Sequence, residues 1–454
     1  MKINITIPKP NKGKFSEIKL GYDLGEDTKV EVGLNIDFKE LYMFTRRQTG
    51  IDFDVFLIGC FVYGIDILLP RARFSDNGWN REIEVEFPVE KPDIFNKGKN
   101  ILEETLTFLT GDEWKVSFTQ RDNSPLYKLS QRGKVHKETF RNSHKKVSLF
   151  SGGLDSLIGV IDQFSISNDK IVLVSHHDGT SFRGAMADQN RIIEQFKKKY
   201  SNYHLIQTRV DLSRLDTNAH KVKKETTLRG RSFLFLCQAI FVAHSINDGI
   251  DVLIPENGTI SLNYPLTPSR RSSCSTRTSH PYYLSKLQEF ISIIGINHCI
   301  KNNYEFKTKG EMLEECKDRD FISKTYSLSC SCGKRGTRKD IRDNSTGTNH
   351  CGICMPCIYR RVALYKIGIN ELVGTDIFNP QKRQLEKIPD MPAFIDYMKQ
   401  SLTIEDIERN LLSNGTLPLD KLKKYAEVVM RTRNEIKKWI SENGNDETKK
   451  MYGL

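Results

Sequence analysis

The sequence lacks any long hydrophobic run. Its longest apolar stretches, Phe56 to Pro70 and Ser232 to Ile246, are broken by Asp66 and by Gln238 and His244. Both are too short and too polar to span a bilayer, so no membrane partner is expected. The opening MKINITIPKP alternates like a strand and has no uninterrupted apolar core of the signal-peptide kind, which leads to the expectation of a cytoplasmic protein. The sequence also has no repeats and no low-complexity tract, which argues against a solenoid or a disordered linker. No GxxxxGK[ST] stretch occurs, so a Walker-type phosphate loop is excluded.

What is present is globular in character: 454 residues, 38% hydrophobic and 28% charged, a length that suits two or three domains. The net charge of +12 gathers in KVKKETTLRGR (221–231), SRRSSCSTR (269–277) and GKRGTRKDIR (333–342). A basic centre suits an anionic small ligand or a nucleic acid and does not choose between them.

Residues 1–143 read as an α+β domain of their own, a packing or partner-binding module. KINITI, KVEVGLNI, REIEVEF and EWKVSF alternate as strands, while DFDVFLIGCFVYGID and ILEETLTFL have helical length. From 144 to 369 strands and helices alternate. Strands fall at Val147–Phe150, Ile171–His176, Tyr203–Val210 and Asp251–Pro255, and helices at Leu157–Phe164, Ala187–Tyr200 and Ser232–Ile246. That order predicts an α/β fold with a doubly wound parallel sheet, which binds ligands at the carboxyl ends of its strands. Residues 370–454 read as a helical tail. Its clearest helix runs from Leu419 to Glu442, with Pro418 at its start and Gly444 past its end.

The first strand of the alternating part runs into Ser151-Gly152-Gly153-Leu154-Asp155-Ser156. Paired glycines turn the backbone sharply and present consecutive N–H groups, and the following helix adds its positive end. Ser151 and Ser156 offer hydroxyls, and Asp155 can hold a magnesium ion or orient the loop. Phosphate binding is the reading that uses all six residues. His176 and His177 end the second strand at the same edge, where they could meet a base or simply pack.

Six of the ten cysteines lie between Cys316 and Cys357, while Cys60, Cys237, Cys274 and Cys299 are scattered as small buried hydrophobes. A disulfide framework is not expected in the cytoplasm. Cys351, Cys354 and Cys357 follow C-x2-C-x2-C on a turn with Gly352 and Pro356, a spacing at which thiolates converge on one tetrahedral Zn²⁺. Cys330 or Cys332 supplies the fourth sulfur. Four sulfur ligands make a closed, structural site; an iron–sulfur cluster uses similar spacing.

SGGLDS at this position resembles the signature of the PP-loop ATP pyrophosphatases, which split ATP into AMP and pyrophosphate. By that resemblance Phe150, Ser151, Gly152, Gly153, Leu154, Asp155 and Ser156 form the ATP loop. Ser329-Cys330, then Cys351-Gly-x-Cys-x-x-Cys357, Gly230-Arg231 opening an apolar helix, and KTKGEM (307–312) make residues 145–370 similar to the 7-cyano-7-deazaguanine synthases (QueC-like proteins). The resemblance implies Cys330 as fourth ligand, and Arg231 and Lys309 facing ATP or substrate beside Asp155.

The chain departs from those enzymes where their substrate pocket lies. ENGTISLNYPLTPSRRSSCSTRTSHP (256–281) stands there instead, on what reads as a Pro- and Ser-rich loop after the strand ending near Pro255. Asn263, Arg270, Arg271 and Arg277 suit a carboxylate or phosphate. His280 is expected to titrate near neutrality and to take a proton from an amine. With its extra domains the chain looks like the QueC-like component of Qat-type anti-phage defence systems. That implies an ATP- and Mg²⁺-dependent ligase acting on a small-molecule carboxylate, such as 7-carboxy-7-deazaguanine. It passes the acyl group to ammonia or to a protein partner from the same operon. The alternatives are a tRNA-modifying PP-loop enzyme, disfavoured because its sulfur-inserting kind needs cysteines free of metal, and an ATP-binding scaffold without turnover.

Overall fold

The computed structural model describes residues 1–7, 18–24, 29–75, 79–122, 126, 136–177, 184–213, 224–227, 229–266, 277–333, 350–371, 374–378 and 390–454. These form one ten-stranded sheet. Its strands are β1 (Lys2–Thr6), β2 (Ile18–Asp23), β3 (Lys29–Ile36), β4 (Glu82–Val89), β5 (Glu113–Gln120), β6 (His144–Leu149), β7 (Lys170–His177), β8 (Tyr203–Leu212), β9 (Asp251–Leu253) and β10 (Ile300–Lys301). Their order is β10-β9-β6-β7-β8-β3-β2-β1-β4-β5. Pairing is parallel except for β1–β2, β2–β3 and β3–β8.

The parallel half follows from its alternating strands. On β7, Val172 and Val174 enter one core cluster while Ile171 and Leu173 enter another. Both faces of the strand are therefore covered, as an apolar parallel strand requires. Helix Arg231–Ile246 belongs to the first cluster; helices Leu154–Ile166 and Ala185–Lys199 belong to the second. The chain leaves β6 for β7 and β8 on one side and returns through Arg231–Ile246 to β9 on the other. The gap between β6 and β9 is thus the topological switch point, where such sheets take ligands.

The N-terminal third shares its sheet with the alternating part. β3 hydrogen-bonds to β8 with Ile36 opposite Val210, so the sheet runs across residue 143 without a break. Helix Ile51–Leu68 is buried at every position from Asp52 to Leu68, as a helix apolar on all sides must be. It packs on Arg231–Ile246, and a Cβ at Gly59 would lie 2.8 Å from Cys237 Cβ. The sequence hides this because strand and helix patterns on either side of 143 are each complete in themselves.

The same helix carries a buried charge network. Arg81 reaches Asp66 (2.7 Å) and Asp112 (3.0 Å), and Arg71 reaches Asp112 (2.6 Å). The second oxygen of Asp66 accepts the Gly230 N–H at 2.8 Å, which pins the start of helix Arg231–Ile246. At the other end of the chain, helix Leu419–Asn443 begins after Pro418 and stops at Gly444. Glu435 on it accepts from Thr308 (2.8 Å) and Lys366 (3.1 Å), and Arg431 donates to Glu311 (2.6 Å). The tail therefore braces the short helix Lys309–Glu314.

Candidate functional site

The glycine corner caps the carboxyl end of β6. Phe150 is fully buried and donates its N–H to Val174, while Ser175 donates to its carbonyl. Gly152 has φ +81°, a left-handed conformation in which a side chain would be strained, and a Cβ there would stand tightly, 3.2 Å from Gln189 Cγ. Gly153 begins helix Leu154–Ile166 in an extended conformation. Ser151 Oγ lies 3.2 Å from Ser156 Oγ and accepts the Gly153 N–H at 3.3 Å. Leu154 is buried beneath the turn and anchors it.

Asp155 is the hub. It is 6% exposed. One carboxylate oxygen pairs with the Lys309 ammonium; the other accepts the Asn257 N–H (3.2 Å) and its side-chain amide (2.5 Å). Asn257 follows β9, so this contact bridges the switch point. Burial alone would raise the Asp155 pKa; the Lys309 charge and hydrogen bonds from Glu256, Lys309 and Asn257 more than offset it and hold it low. Glu256 beside it is pushed the other way, by burial and by the Asp155 charge.

Lys309 is placed by local sequence. Thr308-x-x-Glu311 forms a capping box, in which Thr308 accepts the Glu311 N–H and Glu311 accepts the Thr308 N–H, and Lys309 is the first helical residue. Arg231 stands at the start of its helix, partly buried, with Nη2 3.5 Å from the His176 carbonyl. Gln189 reaches the same carbonyl at 3.5 Å and the Ser151 carbonyl at 3.3 Å, which ties Arg231 to the corner. His176 itself is core: it lies edge-on to Tyr63 and Phe235, and burial, followed by the Arg231 charge, depresses its pKa well below the usual value. His177 is also buried.

The four-sulfur group consists of Cys332, Cys351, Cys354 and Cys357, whose sulfurs lie within 4.8 Å of one another. Cys351 and Cys357 are 3.8 Å apart. Sulfurs bound at about 2.3 Å to one tetrahedral ion stand roughly 3.8 Å apart, so the group could hold a single Zn²⁺. Hydrogen bonds from Cys332, Cys354 and Cys357 hold the Cys351 thiol far below its usual range. Gly352 (φ +78°) and Gly374 (φ +82°) let two backbone segments cross there, with the Thr375 N–H on the Cys351 carbonyl at 3.0 Å.

The fourth position corrects the expectation of Cys330. That residue instead donates its N–H to the Gly152 carbonyl at 3.0 Å, and the next one, Ser331, accepts the Leu154 N–H at 3.4 Å. Spacing left both cysteines open; the sulfur of Cys332 is the one that joins the group. The knuckle is therefore stitched directly to the corner.

The residues expected on a substrate loop are used differently. Asn263 closes helix Gly258–Leu262 in a left-handed conformation (φ 46°). Arg277 stacks 4.3 Å over Phe108 and donates to its carbonyl at 3.0 Å. His280 is fully buried and caps helix Pro281–Ile293, its Nδ1 accepting the Tyr282 N–H at 3.2 Å. Burial, then the Arg277 charge, brings its pKa down to about 3, so it is not a base poised at neutrality. Pro281 opens a helix where a loop was read. Arg270 and Arg271 lie outside the described residues.

The sequence reading missed Asn257, Glu256 and Gln189. Asn257 had a signal, since an Asn directly after a strand and before Gly-Thr-Ile-Ser-Leu is a helix cap. Gln189, inside an ordinary amphipathic helix, had none. No family model, curated protein or solved structure matches the chain. Among the described residues no helix is long and apolar enough to cross a membrane.

Proposed function

We propose that the chain is an ATP-dependent ligase of the QueC-like PP-loop kind, which adenylates a small-molecule carboxylate and passes the acyl group to an amine. What supports the reading is one observation: Asp155, Lys309 and Asn257 converge beside a glycine corner at the switch point of a largely parallel sheet.

Residues 150–156 fit the phosphate end of ATP. The positive φ of Gly152, the paired serine hydroxyls and the helix start converge on one point. Lys309 and Arg231 supply positive charge where pyrophosphate leaves. Asp155 does not fit as a direct Mg²⁺ ligand, since both its oxygens are engaged; it orients Lys309 and joins β6 to β9. In the reaction a carboxylate oxygen bonds to the α-phosphorus as the α–β phosphoanhydride breaks. An amine, from ammonia or a defence-operon partner, then displaces AMP. The four-cysteine site would hold structural Zn²⁺ and keep the corner in shape.

ATP–pyrophosphate exchange by the purified protein with 7-carboxy-7-deazaguanine tests this. Exchange that depends on the carboxylate is the expected result. ATP bound without exchange, with or without operon neighbours, would shift the assignment to a non-catalytic scaffold.

A further inference from the structure

The end of the sheet opposite the glycine corner carries a second cluster of ligand-type side chains. His244 lies in the last turn of helix Arg231–Ile246, Asp248 in the turn before β9, and His298 just before β10. One ligand atom from each lies within 4.8 Å of the others. We propose that His244, Asp248 and His298 bind a divalent transition metal ion of the zinc class.

Geometry is the first argument. His244 Nδ1 and His298 Nε2 are 3.3 Å apart. Two nitrogens at about 2.0–2.1 Å from one tetrahedral ion are separated by roughly 3.3–3.4 Å. The second argument is the support around the ligands. The other ring nitrogen of His244 faces Asp52 Oδ1 at 3.9 Å, and Asp52 is itself buried and held by Arg47 at 2.9 Å. At that distance the carboxylate acts on the ring through charge and not through a direct hydrogen bond. Asn297 donates to one Asp248 oxygen at 3.2 Å and steadies the carboxylate. His298 is fully buried, so its ring position is fixed by packing.

Three protein ligands leave a fourth position open, the pattern of reactive rather than structural sites. His244 and Asp248 line a cleft of about 480 Å³ together with Arg46, Arg47, Arg141 and Glu138. The guanidiniums would repel a bare cation, and they suit an oxyanion, a phosphate or carboxylate, as the fourth ligand. The site thus differs from the cysteine cluster in ligand chemistry, coordination number and place.

Cobalt(II) uptake by the full-length protein tests the assignment, using the wild type and the His244→Gln/Asp248→Asn variant, which changes half-buried His244 and exposed Asp248 and leaves buried His298 in place. The wild type is expected to take up one equivalent more per chain. That equivalent should show weak visible bands without thiolate-to-metal charge transfer. Equal uptake with equal spectra in the two proteins would overturn the site and leave the 3.3 Å contact as an imidazole–imidazole hydrogen bond.

Discussion

At the scale of single residues, the decisive contact is Lys309 on Asp155, both nearly inaccessible to water. Removing one member of such a pair strands the other, at a cost of about 3–5 kcal/mol, whereas removing both is often neutral. Asp155→Ala should therefore lower the urea midpoint and abolish exchange. Asp155→Ala combined with Lys309→Met should regain most of the stability and none of the activity; a double variant as unstable as the single one would refute the pairing. The acid pair adds a pH signature. The Glu256 pKa is raised in the fold, so its contribution is complete below the unfolded value of about 4.3 and is lost as pH rises through the folded value. The Asp155 pKa is lowered, so its contribution is complete above about 3.9 and is lost only in stronger acid. Glu256→Gln keeps a hydrogen-bond donor toward Asp155 without a titrating proton. It should flatten the fall in stability as pH rises above the unfolded value of about 4.3, and parallel urea-midpoint curves for variant and wild type would count against a raised Glu256 pKa.

At the scale of elements, the corner and the knuckle act as one unit, because Cys330 and Ser331 bond to Gly152 and Leu154 just before Cys332 joins the sulfur group. Structural zinc sites contribute on the order of 10 kcal/mol to local folding. Stripping the metal with a chelator should therefore speed amide hydrogen exchange at residues 150–157 as well as at 330–333 and 350–357. Exchange confined to the cysteine segment would show that the corner stands alone. Much at this scale was legible in the sequence. The alternation of Val147 to Pro255 gave the order of strands and helices, and Pro418 and Gly444 marked a helix observed at Leu419–Asn443. β2 (Ile18–Asp23) was not legible, since Gly21 and Tyr22 are both buried and interrupt the two-residue period. The fourth sulfur was not legible either, because spacing constrains a ligand's reach and not the direction of its backbone. His280 misled for a related reason: composition suggested a loop, and one proline turned it into a helix cap.

At the scale of the whole molecule, the segments on either side of residue 143 share one sheet. β8 would lose its β3 partner if the chain were cut there, and helix Arg231–Ile246 would lose the apolar helix Ile51–Leu68. Phe241, which stacks on Phe56 and packs against Phe53, would be uncovered, and each large side chain so exposed carries roughly 1.5–3 kcal/mol of burial. A fragment of residues 144–454 should be insoluble or molten by tryptophan and near-ultraviolet spectroscopy. A cooperative melt of that fragment would restore the two-domain reading. The antiparallel join also sets a clock. β3 is finished early in synthesis, yet its partner β8 is encoded some 170 residues later. At about 5–20 residues per second, the wait is roughly ten to thirty-five seconds. During that interval the nascent chain carries an open strand edge and a largely apolar helix, the kind of surface that chaperones meeting chains at the ribosome cover.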